Sequence, residues 1–180
     1  MAADLFGLTS SAVLSPCGTY RYELRRTWAP EPAVGWIMLN PSTADADADD
    51  ATIRKCVRYA KAWGYGGIVV RNLYALRSRD PKALKRHADP VGPDNATHLH
   101  RAKEDALTVC AWGANADMAD VQRTVGSLIC AGVRLHVLAL TKDGQPGHPL
   151  FLPGHLTSYL WPEAHGVVPP DPTERNTQQP

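Results

Sequence analysis

No apolar run in this chain approaches the roughly 18 residues that a membrane-spanning helix needs, so the sequence gives no reason to expect a membrane partner. The first residues lack the basic start and long apolar stretch of a secretory signal. Neither sign of charge dominates: 19 Lys and Arg stand against 18 Asp and Glu, a net charge of +1. That excludes a global positive field for nucleic acid, which would have to be met by a local patch. The four cysteines, Cys17, Cys56, Cys110 and Cys130, include no CxxC pair. Their apolar surroundings read as reduced, buried thiols in a cytosolic protein, not as a zinc site. The acidic string Asp45, Asp47, Asp49, Asp50 lacks the central Gly and closing Glu of a calcium loop. His98 and His100 are two apart and point to different helix faces. No metal and no cofactor is therefore expected, and nothing in the pattern fixes an oligomeric state.

What is present suits one α/β domain over residues 1–168, followed by a tail from 169 to 180 rich in Pro, Thr, Asn and Gln that reads as disordered. Apolar residues make up 44% and charged residues 21%, ordinary for a globular protein. Residues 12–28 alternate Tyr20, Tyr22, Leu24 with Arg21, Glu23, Arg25 behind a Pro16-Cys17-Gly18 turn, a hairpin with one exposed face. "AVGWIML" (33–39), "GGIVVRNLYAL" (66–76), "LTVCAWG" (107–113) and "VRLHVLALT" (133–141) read as strands covered on both faces. Between them, Ile53, Cys56, Val57, Ala60 and Trp63 predict a helix that starts near Asp49 or Asp50 and stops at Gly64. Residues 80–90 and 92–106 predict two more helices, and Met118 to Ile129 an amphipathic one ending near Gly132. The alternation implies a three-layer αβα sandwich around a central, mostly parallel four-stranded sheet, plus the N-terminal β-hairpin.

In such sheets, ligands bind beyond the carboxyl ends of the strands. Polar clusters stand at all four ends: Asn40-Pro41-Ser42, Asn72, Trp112-Gly113-Ala114-Asn115, and Lys142 with His148-Pro149. Read singly, Asn-Pro-Ser is a turn with a capping role, Asn72 satisfies loop backbone, Trp112 packs the core and His148 is a loop residue. Read together, they converge at one sheet edge. Arg54, Lys55, Arg58 and Lys61 form either a solvated helix face or a phosphate-tracking patch extended by Arg71, Arg77 and Arg79.

Two resemblances follow from these segments. "MLNPSTAD…DDATIRKC", "WGYGG…VRNLYALR" and "LTKDGQPGHPL" are similar to blocks of a bacterial and phage family of unknown function. More distantly, "MLNPS", "GIVVRNLYAL", "VCAWGANA" and "GHPL" resemble, in order, four motifs of the uracil-DNA glycosylase superfamily over about residues 34–152. The first motif carries Asn40, as in the mismatch-specific branch, where the best-known branch has an acidic residue. The fourth lacks its second Pro and its Ser, and no cysteine set matches the iron–sulfur branches.

That second resemblance implies an enzyme that hydrolyses the N-glycosidic bond of a modified or mismatched base in DNA, single-stranded or flipped from a duplex. Asn40 would position a water and His148 would stabilise charge on the base. Asn72 would read the base edge, and Pro41, Ser42 and Lys142 would grip a flanking phosphate. Tyr74, Trp112 and Trp63 are the candidates for stacking on the base. A hydrolase of free nucleosides or nucleotides, and a base-binding module without turnover, are the alternatives.

Overall fold

The computed structural model describes residues 9–42, 49–78, 80 and 82–161. Its strands are β1 (Thr9–Leu14), β2 (Arg21–Thr27), β3 (Ala33–Met38), β4 (Gly67–Asn72), β5 (Leu107–Cys110), β6 (Leu135–Val137) and β7 (Tyr159–Leu160). Its helices are α1 (Ala51–Ala62), α2 (Lys82–Arg86), α3 (Asn95–His100) and α4 (Met118–Cys130). All strands join one seven-stranded sheet in the order β1-β2-β4-β3-β5-β6-β7.

This corrects the expectation of a four-stranded sheet. Parallel pairing holds between β4 and β3, β3 and β5, and β5 and β6, so four parallel strands do lie in the middle. The hairpin does not stand apart, because β2 pairs antiparallel with β4 through Leu24↔Val70 to Thr27↔Gly67. At the other edge β7 pairs antiparallel with β6. The sheet is therefore mixed. β7 escaped the sequence reading because two residues carry no period.

The hairpin's exposed face is also corrected: Arg21, Tyr22, Glu23, Leu24 and Arg26 are all buried. Charged residues are tolerated there because they are paired. The Glu23 carboxylate accepts from Arg101 Nη1 at 2.8 Å and His98 Nδ1 at 3.1 Å, and lies 3.5 Å from Arg71 Nη2. Arg71 Nη1 reaches Asp105 Oδ2 at 2.6 Å. Burial pushes the Asp105 carboxyl upward, and the Arg71 charge pulls it back down. Of the four thiols, only Cys56 and Cys110 are buried; Cys17 on the hairpin turn and Cys130 at the end of α4 are exposed, and all four are free.

Side-chain alternation divides the core in two. Val34, Trp36, Met38, Ile68 and Val70 pack with Ile53, Cys56, Tyr59 and Ala60 of α1. Ile37, Cys110, Leu135 and Val137 pack instead with Leu99 of α3 and Val121, Val125 and Leu128 of α4. The Asp50 side chain caps α1 by accepting from Ile53 N at 2.9 Å, and Gly64 leaves the helix at φ +81°. The helix expected over 92–106 is α3 continued by a 3-10 turn at Arg101–Glu104, and the strand expected over 133–141 keeps regular pairing only at Leu135–Val137. No helix of the described residues is long and apolar enough to cross a membrane. The tail expected from 169 lies outside the described residues.

Gly35 on β3 sits beneath Asp105. A Cβ there would lie 2.0 Å from Asp105 Oδ2 and 2.7 Å from its Cγ, and Asp105 cannot swing away without breaking its bond to Arg71. Gly35→Ala is therefore expected to lower the unfolding free energy in urea by about 1–3 kcal/mol. An unchanged midpoint would show that the Arg71–Asp105 pair yields freely.

Candidate functional site

A cavity of about 670 Å³ opens at the carboxyl edge of β3, β4 and β5. Its lining includes Asn40, Ser42, Asn72, Trp112 and His148, brought together from four segments, with Asp50, Arg21, Asn115 and Thr141 beside them. Met38, Val70 and Ile53 supply its apolar lining.

Asn40 is placed by backbone pairing that outlasts the strands. Beyond β3 and β4, Leu73 N donates to Met38 O at 2.9 Å, Tyr74 N to Leu39 O at 3.0 Å and Ser78 N to Pro41 O at 3.0 Å. Asn40 Nδ2 donates to Ser78 O at 2.8 Å and Pro41 O at 3.2 Å. Two carbonyl partners fix which end of the amide is which, and Oδ1 remains its open acceptor. Pro41 does not line the cavity; its carbonyl is what braces Asn40 and Ser78.

Asn72 is the last residue of β4 and only 2% exposed. Asn95, fully buried, donates from Nδ2 to Asn72 O and Leu73 O, both at 3.0 Å, and so clamps the strand end. The Asn72 carboxamide itself makes no hydrogen bond within the chain. A buried amide left unpaired costs about 1–3 kcal/mol, so its place in a cavity lining points to a partner from outside.

His148 is held by a chain of turns after β6. Leu140 bridges Pro146, Thr141 N donates to Gln145 O at 2.7 Å, and Gly147 N donates to Ala139 O at 2.8 Å. Gly113, at φ +78°, donates its N–H to Pro146 O at 2.9 Å and ties this loop to the end of β5. His148 Nδ1 accepts from Leu150 N at 3.3 Å, which leaves Nε2 as the N–H donor of the neutral ring. Burial pushes the imidazole below its ordinary value, partly opposed by the Asp50 charge. A folded-state value below the unfolded one means that this histidine's contribution to stability is complete above the unfolded value. It is lost as pH falls through the folded one.

Other expected residues fall elsewhere. The Tyr74 hydroxyl donates to Asp120 Oδ2 at 2.8 Å and accepts from Asp117 N at 3.2 Å, in a neighbouring cavity; burial and Asp120 push it up to about 12. Trp63 stacks on Trp36 in the core at 5.9 Å. Lys142 is exposed on the turn and does not line the cavity. Trp112 does line it, but its Nε1 donates to Gln145 Oε1 at 3.1 Å and its ring packs edge-on against Trp161. Lys61 lies 5.2 Å over the Trp28 ring, and Arg54 donates to Asp49 O, so this basic row is engaged locally. Among the described residues no group of three or more His, Cys, Asp or Glu side chains is arranged to hold a metal ion.

Three residues of the site were not anticipated. Asp50, read only as a helix cap, is the one carboxylate among the described lining residues, and its Oδ2 accepts from Ser42 Oγ at 3.3 Å. Arg21 enters from the hairpin. Phe151 stands at the rim, 82% exposed, its ring 5.5 Å from that of His148. The signal for Phe151 was its position three residues past His148; nothing local marks Arg21.

A family model described as Protein of unknown function (DUF1643) matches residues 21–150. The matched span contains every lining residue named here except Phe151. No curated protein matches the chain, and no solved structure does.

Asn72→Leu removes the unpaired amide at nearly constant volume. It is expected to leave the thermal midpoint unchanged or raise it, since replacing an unsatisfied buried group by an apolar one is close to neutral. A midpoint several degrees lower would mark the amide as structural.

Proposed function

We propose that this chain, which belongs to the family described as Protein of unknown function (DUF1643), binds a nucleobase in the cavity and hydrolyses its bond to deoxyribose in DNA, as the uracil-DNA glycosylase resemblance implies. The observation that carries the reading is the buried, unpartnered carboxamide of Asn72 sharing one cavity with His148 and Asn40. An amide donor and acceptor side by side match a base edge bidentately.

In this reading a water oxygen bonds to the sugar C1′, the C1′–N bond breaks, and its electron pair moves onto the base. The His148 Nε2–H donates to the base carbonyl oxygen where negative charge grows, a term that acts most in the transition state. Asn40 cannot titrate, and its Oδ1 orients the water. The water's proton passes to Asp50, whose carboxylate is held in place by Ser42 Oγ and Ile53 N. Phe151 at the rim suits stacking on a neighbouring base of a strand, worth about 1–3 kcal/mol per base. The near-neutral net charge of +1 favours a second reading, in which the substrate is a free nucleoside or nucleotide.

Oligonucleotides carrying uracil, mismatched or modified bases, incubated with the protein and probed for abasic sites, separate these readings. Abasic sites are expected for at least one base. Asp50→Asn keeps the helix cap and is expected to slow the reaction about 10²- to 10⁴-fold with binding retained. No abasic site with any base, while the protein stays folded, contradicts the glycosylase reading. Stabilisation by nucleotides without oligonucleotide binding selects the free substrate.

A further inference from the structure

We propose that the same cavity has a built anion subsite at Arg21, so that its ligand is a phosphorylated nucleotide unit rather than a bare base or nucleoside. The identity of the ligand's base half rests on the reading above; the anion does not.

Arg21 is the first residue of β2, and β2 runs antiparallel to the four central strands. Its start therefore lies at their carboxyl edge. Arg21 N donates to Ala75 O at 2.9 Å, just past the end of β4. Its side chain lines the cavity together with Asn72, Asn40 and Asp50, and the residue is only 6% exposed. A guanidinium this deep costs desolvation free energy that a solvent-facing cation avoids. Retaining it at a cavity wall is explained if the cavity's occupant is an anion.

The surrounding charge supports this. Arg21 is lowered to about 10 by burial first, and by its neighbours Arg77 and Arg26, with Asp50 acting in the opposite sense. It stays cationic at neutral pH. Arg26 Nε is bonded to Asp49 Oδ1 at 2.9 Å, and both Asp50 oxygens accept bonds from Ile53 N and Ser42 Oγ. Three guanidiniums thus meet two carboxylates among the described residues, and the region facing the cavity is electropositive although the whole chain is not. The planar fork of arginine matches two phosphate oxygens at once. The cavity, about 670 Å³, has room for sugar and phosphate beside a base. Arg21 takes over the phosphate role that the sequence gave to Lys142, which stands outside.

The test compares affinities by calorimetry for the deoxynucleosides of uracil, thymine, cytosine, adenine and guanine and for their 3′,5′-bisphosphates. At least one bisphosphate is expected to bind ten-fold or more tighter than its nucleoside, with inorganic phosphate competing. In Arg21→Met that ratio is expected to fall to near one. Should Arg21→Met fail to fold, Arg21→Lys decides: charge remains but the fork is lost, and the ratio falls several-fold. A trinucleotide that binds more tightly than the bisphosphate assigns the phosphate to a strand, and a weaker one to a free nucleotide; either supports the subsite. Equal affinity for nucleoside and bisphosphate, binding of neither, or a ratio unchanged in the folded variants overturns it. Phosphate-dependent binding without any abasic product leaves the subsite standing and removes the glycosylase reading. Abasic product with a phosphate ratio indifferent to Arg21 does the reverse.

Discussion

The pairing of β3 with β4 does not end where the strands do, and the rest of the site hangs on that continuation. Met38 lies in register with Asn72. The next residues stay hydrogen-bonded through Leu39, Pro41, Leu73, Tyr74 and Ser78. Two loops that would otherwise splay are zipped together, and the zip sets Asn40 beside Asn72. Asn95 clamps the same edge from the far side of the sheet. His148 reaches the site by a separate route, through Gly113 and Pro146 at the end of β5.

Arg71 and Asn72 are adjacent on β4, and the pleat sends them to opposite faces. Arg71 enters the ion network of Glu23 and Asp105, which fixes how the hairpin and the β5 edge meet the sheet. Asn72 enters the cavity on the α1 side. A one-residue slip of β4 would exchange the two, placing a guanidinium in the α1 core and an amide among carboxylates. The buried charges thus specify register on one face, and the recognition group depends on it on the other. Gly35, with no room for a methyl group above it, is the third element of that lock.

Much of this was legible in the sequence. The long apolar runs and the helical spacing from Ile53 to Ala60 fixed the order of elements, and the parallel rule sent Asn40, Asn72 and His148 to one edge. What was not legible depended on partners far along the chain. Glu23 and Arg71 each look like exposed strand residues until they are paired. Arg21 reads as one more alternating charge on a hairpin, and only the β2–β4 pairing carries it to the site. Asp50 has a sufficient local role as a cap, which hid its place at the cavity. Tyr74 looked like a stacking aromatic because its hydroxyl's partner, Asp120, is 46 residues away. Cys17 and Cys130 sit in apolar sequence, yet their positions on a turn and at a helix end leave them exposed.

The central claim is that the Asn72 carboxamide waits for a base edge. Its side-chain amide proton and nitrogen resonances, followed while nucleotides bearing each base are titrated in, test this most directly. The account expects both amide protons to become distinct and protected from solvent exchange with at least one base, with the His148 Nε2 proton responding over the same concentrations. Saturable binding at the cavity that leaves the Asn72 amide resonances where they were would contradict it.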